Sequence, residues 1–291
     1  MDNIVSFDDI DSERDIAAYQ TGLPRIVLEG VDDLRFFKHY WFHQLIGSFE
    51  FVEASDIVTG GGCTSVMQAV EESRKDNIPA FGIWDRDTLF REKKWSSLFE
   101  TDDAVFHATT SGKDFYTTLR WEVEAYLLEP DFLDGWLRSC QKKTGSSPVA
   151  AGAVTIAIEE CENLLKAHRY FATAHHCRKS VSDGFSAHLE ADAFVSECNS
   201  ALAKLQDDGT LPALIDEFVA AVLMAAPSVA ASRLSWLLKY VDTKRLLMRL
   251  CQRFKSFEEI RWVLAEFMRQ SNRRPREIEQ KLYQLRDAMA V

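Results

Sequence analysis

No apolar run in this chain approaches the roughly 20 residues that a membrane-spanning helix requires. No C-x-x-C pair occurs either. The six cysteines (Cys63, Cys140, Cys161, Cys177, Cys198 and Cys251) are scattered, which argues against a disulfide framework or a zinc ribbon and for reduced thiols in a cytoplasm. The first 13 residues are acidic and polar, without the basic start and apolar stretch of a secretory signal. Gly60-Gly61-Gly62 lacks the Lys-Ser/Thr ending of a phosphate-binding P-loop and reads as a plain turn. His168, His175, His176 and Cys177 lie close in sequence but fit no usual zinc spacing, and read as polar helix or loop residues. Internal repeats and low-complexity segments are also missing. A net charge of −11 argues against a protein that coats nucleic acid by electrostatics alone.

The charge that is present is uneven. From Lys239 to Val291 there are 13 Lys and Arg against 7 Asp and Glu. This basic region, with Arg269, Arg273, Arg274 and Arg276, has two readings: a surface for a phosphate backbone, or the solvated face of a helical bundle. At 291 residues and 46% hydrophobic content the chain has ample material for a core.

After a polar lead-in to about Pro24, Arg25–Glu29 reads as a strand, and Leu34 to Trp41 continues with helical apolar periodicity. Glu50–Ala54 reads as a second strand, Thr59–Gly62 as a loop, Cys63–Lys75 as a helix, and Pro79–Asp85 as a third strand. The order β-α-β-α-β predicts a parallel sheet with crossover helices. Arg86–Asp103 reads as a charged surface excursion, Ala104–Ala108 as another short strand, and Trp121–Leu128 as a helix start or a strand-to-helix junction. Beyond Pro130 long helical patterns take over, among them Ile156–Tyr170, Ala187–Leu205, Leu211–Ala225 and Ile260–Gln270. The best boundary loop is Thr144-Gly145-Ser146-Ser147-Pro148. The expected fold is therefore α/β in residues 1–140, followed by a mostly helical domain in residues 141–291. The aromatic cluster Phe36, Phe37, Tyr40, Trp41 and Phe42 reads as core.

The informative residues are carboxylates at strand ends. Ile26-Val27-Leu28 stops at Glu29-Gly30, with Asp33 in the first turn of the next helix. Phe81-Gly82-Ile83-Trp84 stops at Asp85-Arg86-Asp87. Residues i and i+2 at a strand end point to one side, so Asp85 and Asp87 can converge on a hard cation such as Mg2+ or Mn2+. Open α/β sheets place their ligands at these C-terminal strand ends. Glu29, closing an apolar strand, needs a partner or a task. Asp33 also suits an ordinary helix start.

The Glu29-Gly30-Val31-Asp32-Asp33 turn followed by Asp85-Arg86-Asp87 resembles the signature of the Toprim domain. With Val123-Glu124-Ala125-Tyr126-Leu127-Leu128 added, the chain resembles the Toprim-like effectors encoded beside ABC-type ATPases in bacterial anti-phage systems. It is most similar to the AriB-like effectors of the PARIS system, and more distantly to the nuclease half of the OLD proteins. The resemblance covers residues 25–130. The helical remainder is matched only by position and by Tyr240–Leu247, which is similar to a lysine-bearing helix start in that family.

That resemblance implies a Toprim-like sheet and a metal-dependent nuclease. Glu29 and Lys244 would be catalytic. Asp33, Asp85, Asp87 and Glu124 would hold magnesium or manganese. The implied protein is a toxin-like effector, an endoribonuclease acting on tRNA once released from an ABC-type ATPase partner, and a homodimer. Alternatives stay open: Lys244 as a solvated helix lysine, Glu124 as a first-turn acid, and a DNA endonuclease of OLD type. Asp85-Arg86-Asp87-Thr88 also fits the nucleophile motif of haloacid-dehalogenase-like phosphatases, although a complete β-α-β-α unit precedes it. A non-catalytic binding subunit is the remaining alternative.

Overall fold

The computed structural model of the protein describes residues 22–59, 63–144, 152–205, 209–256 and 260–289. The lead-in before Gly22, the Gly60-Gly61-Gly62 loop and residues 145–148 of the expected boundary loop lie outside the described residues. The strands are β1 (Arg25–Leu28), β2 (Glu50–Glu53), β3 (Ala80–Trp84) and β4 (Phe115–Thr117). The helices begin with α1 (Val31–Arg35), which runs on as π-helical turns over Phe36–Trp41, and α2 (Cys63–Lys75). Three short helices follow: α3 (Asp87–Arg91), α4 (Trp95–Leu98) and α5 (Asp103–Thr110). The rest are α6 (Pro130–Thr144), α7 (Ala153–His176), α8 (Ala191–Leu202), α9 (Thr210–Ala225), α10 (Ala230–Leu237), α11 (Thr243–Phe254), α12 (Ile260–Gln270) and α13 (Arg276–Met289). None of the described helices is long and apolar enough to cross a membrane.

The chain divides into two compact units. One takes the described residues up to Trp84, Gly112–Tyr116, and those from Arg274 on. The other takes Asp85–Ser111 and Thr117–Arg273. The sequence reading draws a single linear boundary near residue 140. The contacts instead return the last helix to the unit that begins the chain.

The first unit is the α/β one. Its sheet has the order β2-β1-β3-β4, and β1 pairs in parallel with both β2 and β3. The expected β-α-β-α-β succession is what forms. Val27 lies opposite Gly82, so β1 and β3 end side by side. Val27, Val52, Val66, Ala69, Val70 and Ala80 make one core layer. The other is aromatic, with Phe37 against Phe51 at 5.9 Å and Phe36 stacked on Trp41 at 5.2 Å. A Cβ on Gly82 would come within 2.8 Å of Val66 Cγ1, so the bare backbone there lets α2 lie close on β3. Arg25, buried in β1, donates to Glu50 of the adjacent β2 at 2.9 Å. In α13, Ile278 and Leu282 are buried and the Lys281 ammonium lies 5.2 Å from the Phe81 ring centroid.

The second unit is helical, with the 24-residue α7 packed by α8, α9, α10 and α11. Two expectations fail here. Ala104–Ala108 is helix, not strand: the Asp102 carboxylate accepts from the backbone N–H of Ala104 and Val105 and starts α5. Arg86–Asp103 is not a surface excursion, because it folds into α3 and α4 and its first residue, Arg86, is fully buried. β4, with only three residues, was not expected at all.

The interior of this unit carries charge. Arg249 and Glu160, both buried, pair at 2.5 Å, and the guanidinium also donates to Leu189 O and lies 4.0 Å from the Phe194 ring centroid. Removing one partner from a buried pair leaves an uncompensated charge. Glu160→Gln should therefore destabilise the fold by about 3–5 kcal/mol in chemical denaturation; a change within experimental error would show that the pair is dispensable.

His168 is another buried titratable group of this unit. Its Nδ1 lies 2.9 Å from Leu164 O, and burial lowers its pKa below the ordinary 6.5 against the raising effect of that hydrogen bond. As the pH falls, the unfolded chain takes up this proton before the folded one. The stability contribution is thus full above 6.5 and is lost as the pH drops through the lowered folded value. Thermal melts of His168→Phe should accordingly lose less stability than wild type on acidification below pH 6.5. Parallel losses in the two proteins would refute the assignment.

Candidate functional site

Of the sequence-derived candidates, Glu29 and Asp33 belong to the first unit and Asp85, Asp87, Glu124 and Lys244 to the second. Glu29 follows the last residue of β1 and is half-buried. Asp33, in α1, accepts from the Gly30 backbone N–H at 3.2 Å, the ordinary role of a helix-start acid.

In the second unit the other four converge. Asp85 and Asp87 are both more than nine-tenths buried. Carboxylate oxygens of Asp85 and Asp87 lie within 4.8 Å of each other, as do those of Asp85 and Glu124. Arg86, between the two aspartates, is turned the other way. Its guanidinium donates to Leu98 O at 3.0 and 2.6 Å, Glu100 O at 3.0 Å and Leu119 O at 3.0 Å. Its Cζ lies 4.0 Å from the Phe106 ring centroid and 4.6 Å from that of Tyr240. β3 has ended at Trp84 and Arg86 has helical backbone angles ahead of α3, so it is this turn, not the strand alternation expected from the sequence, that sends Arg86 to its own anchor. Asp87 opens α3, and its Oδ2 accepts from Arg91 at 2.6 Å.

Glu124 reaches the cluster on a strap. Trp121 O accepts from Asp87 N–H at 3.0 Å, and Trp121 N–H donates to Leu238 O at 3.1 Å. Glu122 is extended, and Val123–Leu127 forms a 3-10 turn, not the expected helix start. Glu122 and Glu124 are buried, at 3% and 4% exposure. Arg261 of α12 donates to Glu124 at 3.3 Å. Lys244 Nζ lies 3.3 Å from Glu122 Oε1, and Glu122 Oε2 is buried without a hydrogen-bond partner among the described residues. Lys244 is the second residue of α11, which Asp242 caps by accepting from Arg245 N–H.

The electrostatics are those of crowded acid. Burial raises the Glu122 carboxyl well above the usual carboxylate range; Lys244 pulls it down, while Asp242, Glu124 and Asp87 push it further up. Burial alone would lower the Lys244 ammonium, but Glu122, Glu124, Asp87 and Asp85 outweigh it and raise its pKa above the ordinary 10.5. Lys244 therefore holds its proton firmly. Every donor atom in the cluster is a carboxylate oxygen, the set that magnesium and manganese favour, and Asp85 comes within 4.8 Å of both Asp87 and Glu124.

Sequence reasoning missed Glu122, Arg261 and Arg91. Glu122 was legible: Glu122-Val123-Glu124 repeats the i, i+2 acidic pattern of Asp85 and Asp87 inside an apolar run. Arg261 lies 137 residues from its partner and carries no local signal. The basic C-terminal arginines are held largely by acids of their own surroundings. Arg269 pairs with Glu266, Arg273 with Asp131, and Arg274 with Glu279.

No protein-family model, no curated protein and no solved structure matches this chain.

Because lysine presents a compact charge without the planar fork, Arg86→Lys should leave buried carbonyls unsatisfied and cost about 2–5 kcal/mol. Denaturation of the variant measures this, and an unchanged midpoint would remove Arg86 from the account.

Proposed function

We propose that the protein is a metal-dependent nuclease with a Toprim-like catalytic arrangement. The observation that carries the reading is the buried cluster Asp85, Asp87, Glu122 and Glu124 facing the Lys244 ammonium. Burying four acids together is costly; Arg91, Arg261 and Lys244 each engage one of them, and a divalent cation would offset more of that cost. Asp85, Asp87 and Glu124 would hold magnesium or manganese, with Asp33 assisting as the family resemblance implies. When bound, such an ion lends positive charge to a phosphate oxygen and acidifies water.

The chain's own residues supply the rest. Lys244, kept protonated by its acidic neighbours, stabilises negative charge that develops on the phosphate. Arg261 fixes the orientation of Glu124, and Arg91 that of Asp87. Glu29 moves a proton in the role the resemblance implies. Lys244 and Arg261 also line a cleft of about 350 Å³ with Leu247, Met248, Cys251, Ile260 and Asp183, room for part of a nucleic-acid strand. The resemblance extends the reading to a toxin-like anti-phage effector restrained by an ABC-type ATPase, cutting RNA, tRNA in particular, and acting as a homodimer.

Incubation with total RNA and with plasmid DNA tests this. Cleavage should require magnesium or manganese and stop in chelator. Asp87→Asn should fall to background, because an amide is a poor ligand for a hard cation. Lys244→Met should lose about 100-fold or more, and Glu29→Ala should abolish both cleavage and growth arrest on expression. RNA cleavage supports the effector reading, and cleavage of DNA alone replaces it with an OLD-type endonuclease. Full activity in chelator would sink the metal assignment, and no cleavage of either substrate would leave a binding subunit.

A further inference from the structure

One acid of the cluster has no task in that chemistry. Asp87 and Glu124 direct their oxygens to Asp85. Glu122 is directed to a cation instead, with Oε1 3.3 Å from Lys244 Nζ. Its other oxygen, Oε2, is buried and has no hydrogen-bond partner among the described residues. A structural acid at such depth is normally well supplied with donors: Glu160 meets both Arg249 and Arg253. Glu122, only 3% exposed, has Lys244 as its one ion-pair partner among the described residues. An amide of the same shape would fill the space without a buried charge, so packing alone gives no reason for a carboxylate here.

Lys244 has the complementary placement. Its side chain is 47% exposed and lines the cleft of about 350 Å³. A lysine carries a compact charge on a flexible aliphatic stem. Exposed, it samples many positions; held against a fixed acid, it keeps one. The acid is fixed. Trp121 O accepts from Asp87 N–H at 3.0 Å, and Trp121 N–H donates to Leu238 O at 3.1 Å. The residue before Glu122 is thus tied both to the Asp85–Asp87 turn and to the segment that leads into α11. The Asp242 cap then sets the first turn of α11, which bears Lys244. A buried carboxylate stands behind the ammonium and an open cleft in front of it.

We infer that Glu122 is a positioning residue for Lys244: from the buried side it holds the ammonium at the wall of the cleft, where an entering phosphate meets it. The chemistry of this role rests on the nuclease reading; its geometry rests on the ion pair. A charge already in place where negative charge develops costs no reorganisation at the moment of reaction. Misplacement by about 1 Å can cost about 100-fold in rate. Glu122 itself touches neither substrate nor metal.

Kinetics and lysine NMR of the full chain test the role separately. On a labelled strand that the wild type cuts with magnesium, Glu122→Gln keeps the shape and removes the charge. It should lower kcat at least about tenfold and leave KM within about twofold. Lys244→Met should lower kcat as far or further, and adding Glu122→Gln to it should cost less than about twofold more. Losses that multiply independently would overturn the role, as would a wild-type kcat in folded Glu122→Gln. Calorimetric Mn2+ titration should give Glu122→Gln an affinity within about tenfold of wild type; a greater loss would make Glu122 a ligand and overturn the role too. Melting curves check folding. If Glu122→Gln does not fold, or if no strand is cut, 15N NMR reads the ammonium itself at neutral pH, where protons of freely solvated lysines exchange too fast to be seen. The wild type should show an ammonium resonance that Lys244→Met removes. With that resonance present and no strand cut, the nuclease reading fails and the held lysine stands. Without the resonance, the positioning role is overturned.

Discussion

The candidate site depends on the burial of the Arg86 guanidinium. An isolated charge in a protein interior is costly, and here the cost is offset by three backbone carbonyls and two aromatic faces. Those partners come from Leu98, Glu100, Phe106, Leu119 and Tyr240. Leu119 precedes the strap that bears Glu122 and Glu124, and Tyr240 precedes the cap and first turn that bear Lys244. One side chain thus ties together the segments that deliver the acids and the lysine, while its own two neighbours are the first acids of the cluster. Tyr240 reinforces the arrangement by donating its hydroxyl to Glu100 O at 3.0 Å. Burial pushes that phenol up to about 12, so it stays a donor.

Around this anchor the unit concentrates negative charge instead of dispersing it. Each cation near the cluster engages a particular carboxylate: Arg91 takes Asp87, Arg261 takes Glu124 and Lys244 takes Glu122. Asp85 lies between Asp87 and Glu124, within 4.8 Å of each at the carboxylate oxygens. Such an arrangement orients Asp87, Glu124 and Glu122 one by one. It differs from a structural network such as Arg249 with Glu160, where the cation is sunk beside its acid and further satisfied by carbonyls.

Much of this was legible in the sequence, and the failures have identifiable physical causes. β1, β2 and β3 announce themselves as short apolar runs ending in acids or turns, and Asp85 and Asp87 could be named from their position at a strand end, whereas Glu124 and Lys244 came only from the family resemblance. Ala104–Ala108 misled because a five-residue apolar run has no period of its own; the signal that decides it is the capping acid Asp102. β4 is too short to carry alternation. Arg86 looked solvated because a charged residue between two acids is usually on a surface, and its burial follows from carbonyls that only the folded chain brings within reach. The return of α13 to the unit that opens the chain rests on packing such as Lys281 over Phe81, 200 residues apart in sequence.

The basic C-terminal region shows how a charge count can mislead. In α11, Arg245, Arg249 and Arg253 follow one another at intervals of four, which puts them on one face of the helix. That face is internal: Arg245 meets Asp242 and the carbonyls of Val181 and Ser182, Arg249 meets Glu160, and Arg253 meets Glu160 and Glu190. These arginines glue the helix to α7 and to the segment before α8, and they are not displayed to a phosphate backbone. Lys244 sits one position earlier, about 100° around the helix, and meets the acidic cluster instead. A basic stripe that looks like a nucleic-acid surface is thus spent mostly on holding the helix in register, and one lysine, set off that stripe by a single residue, is left to face the carboxylates.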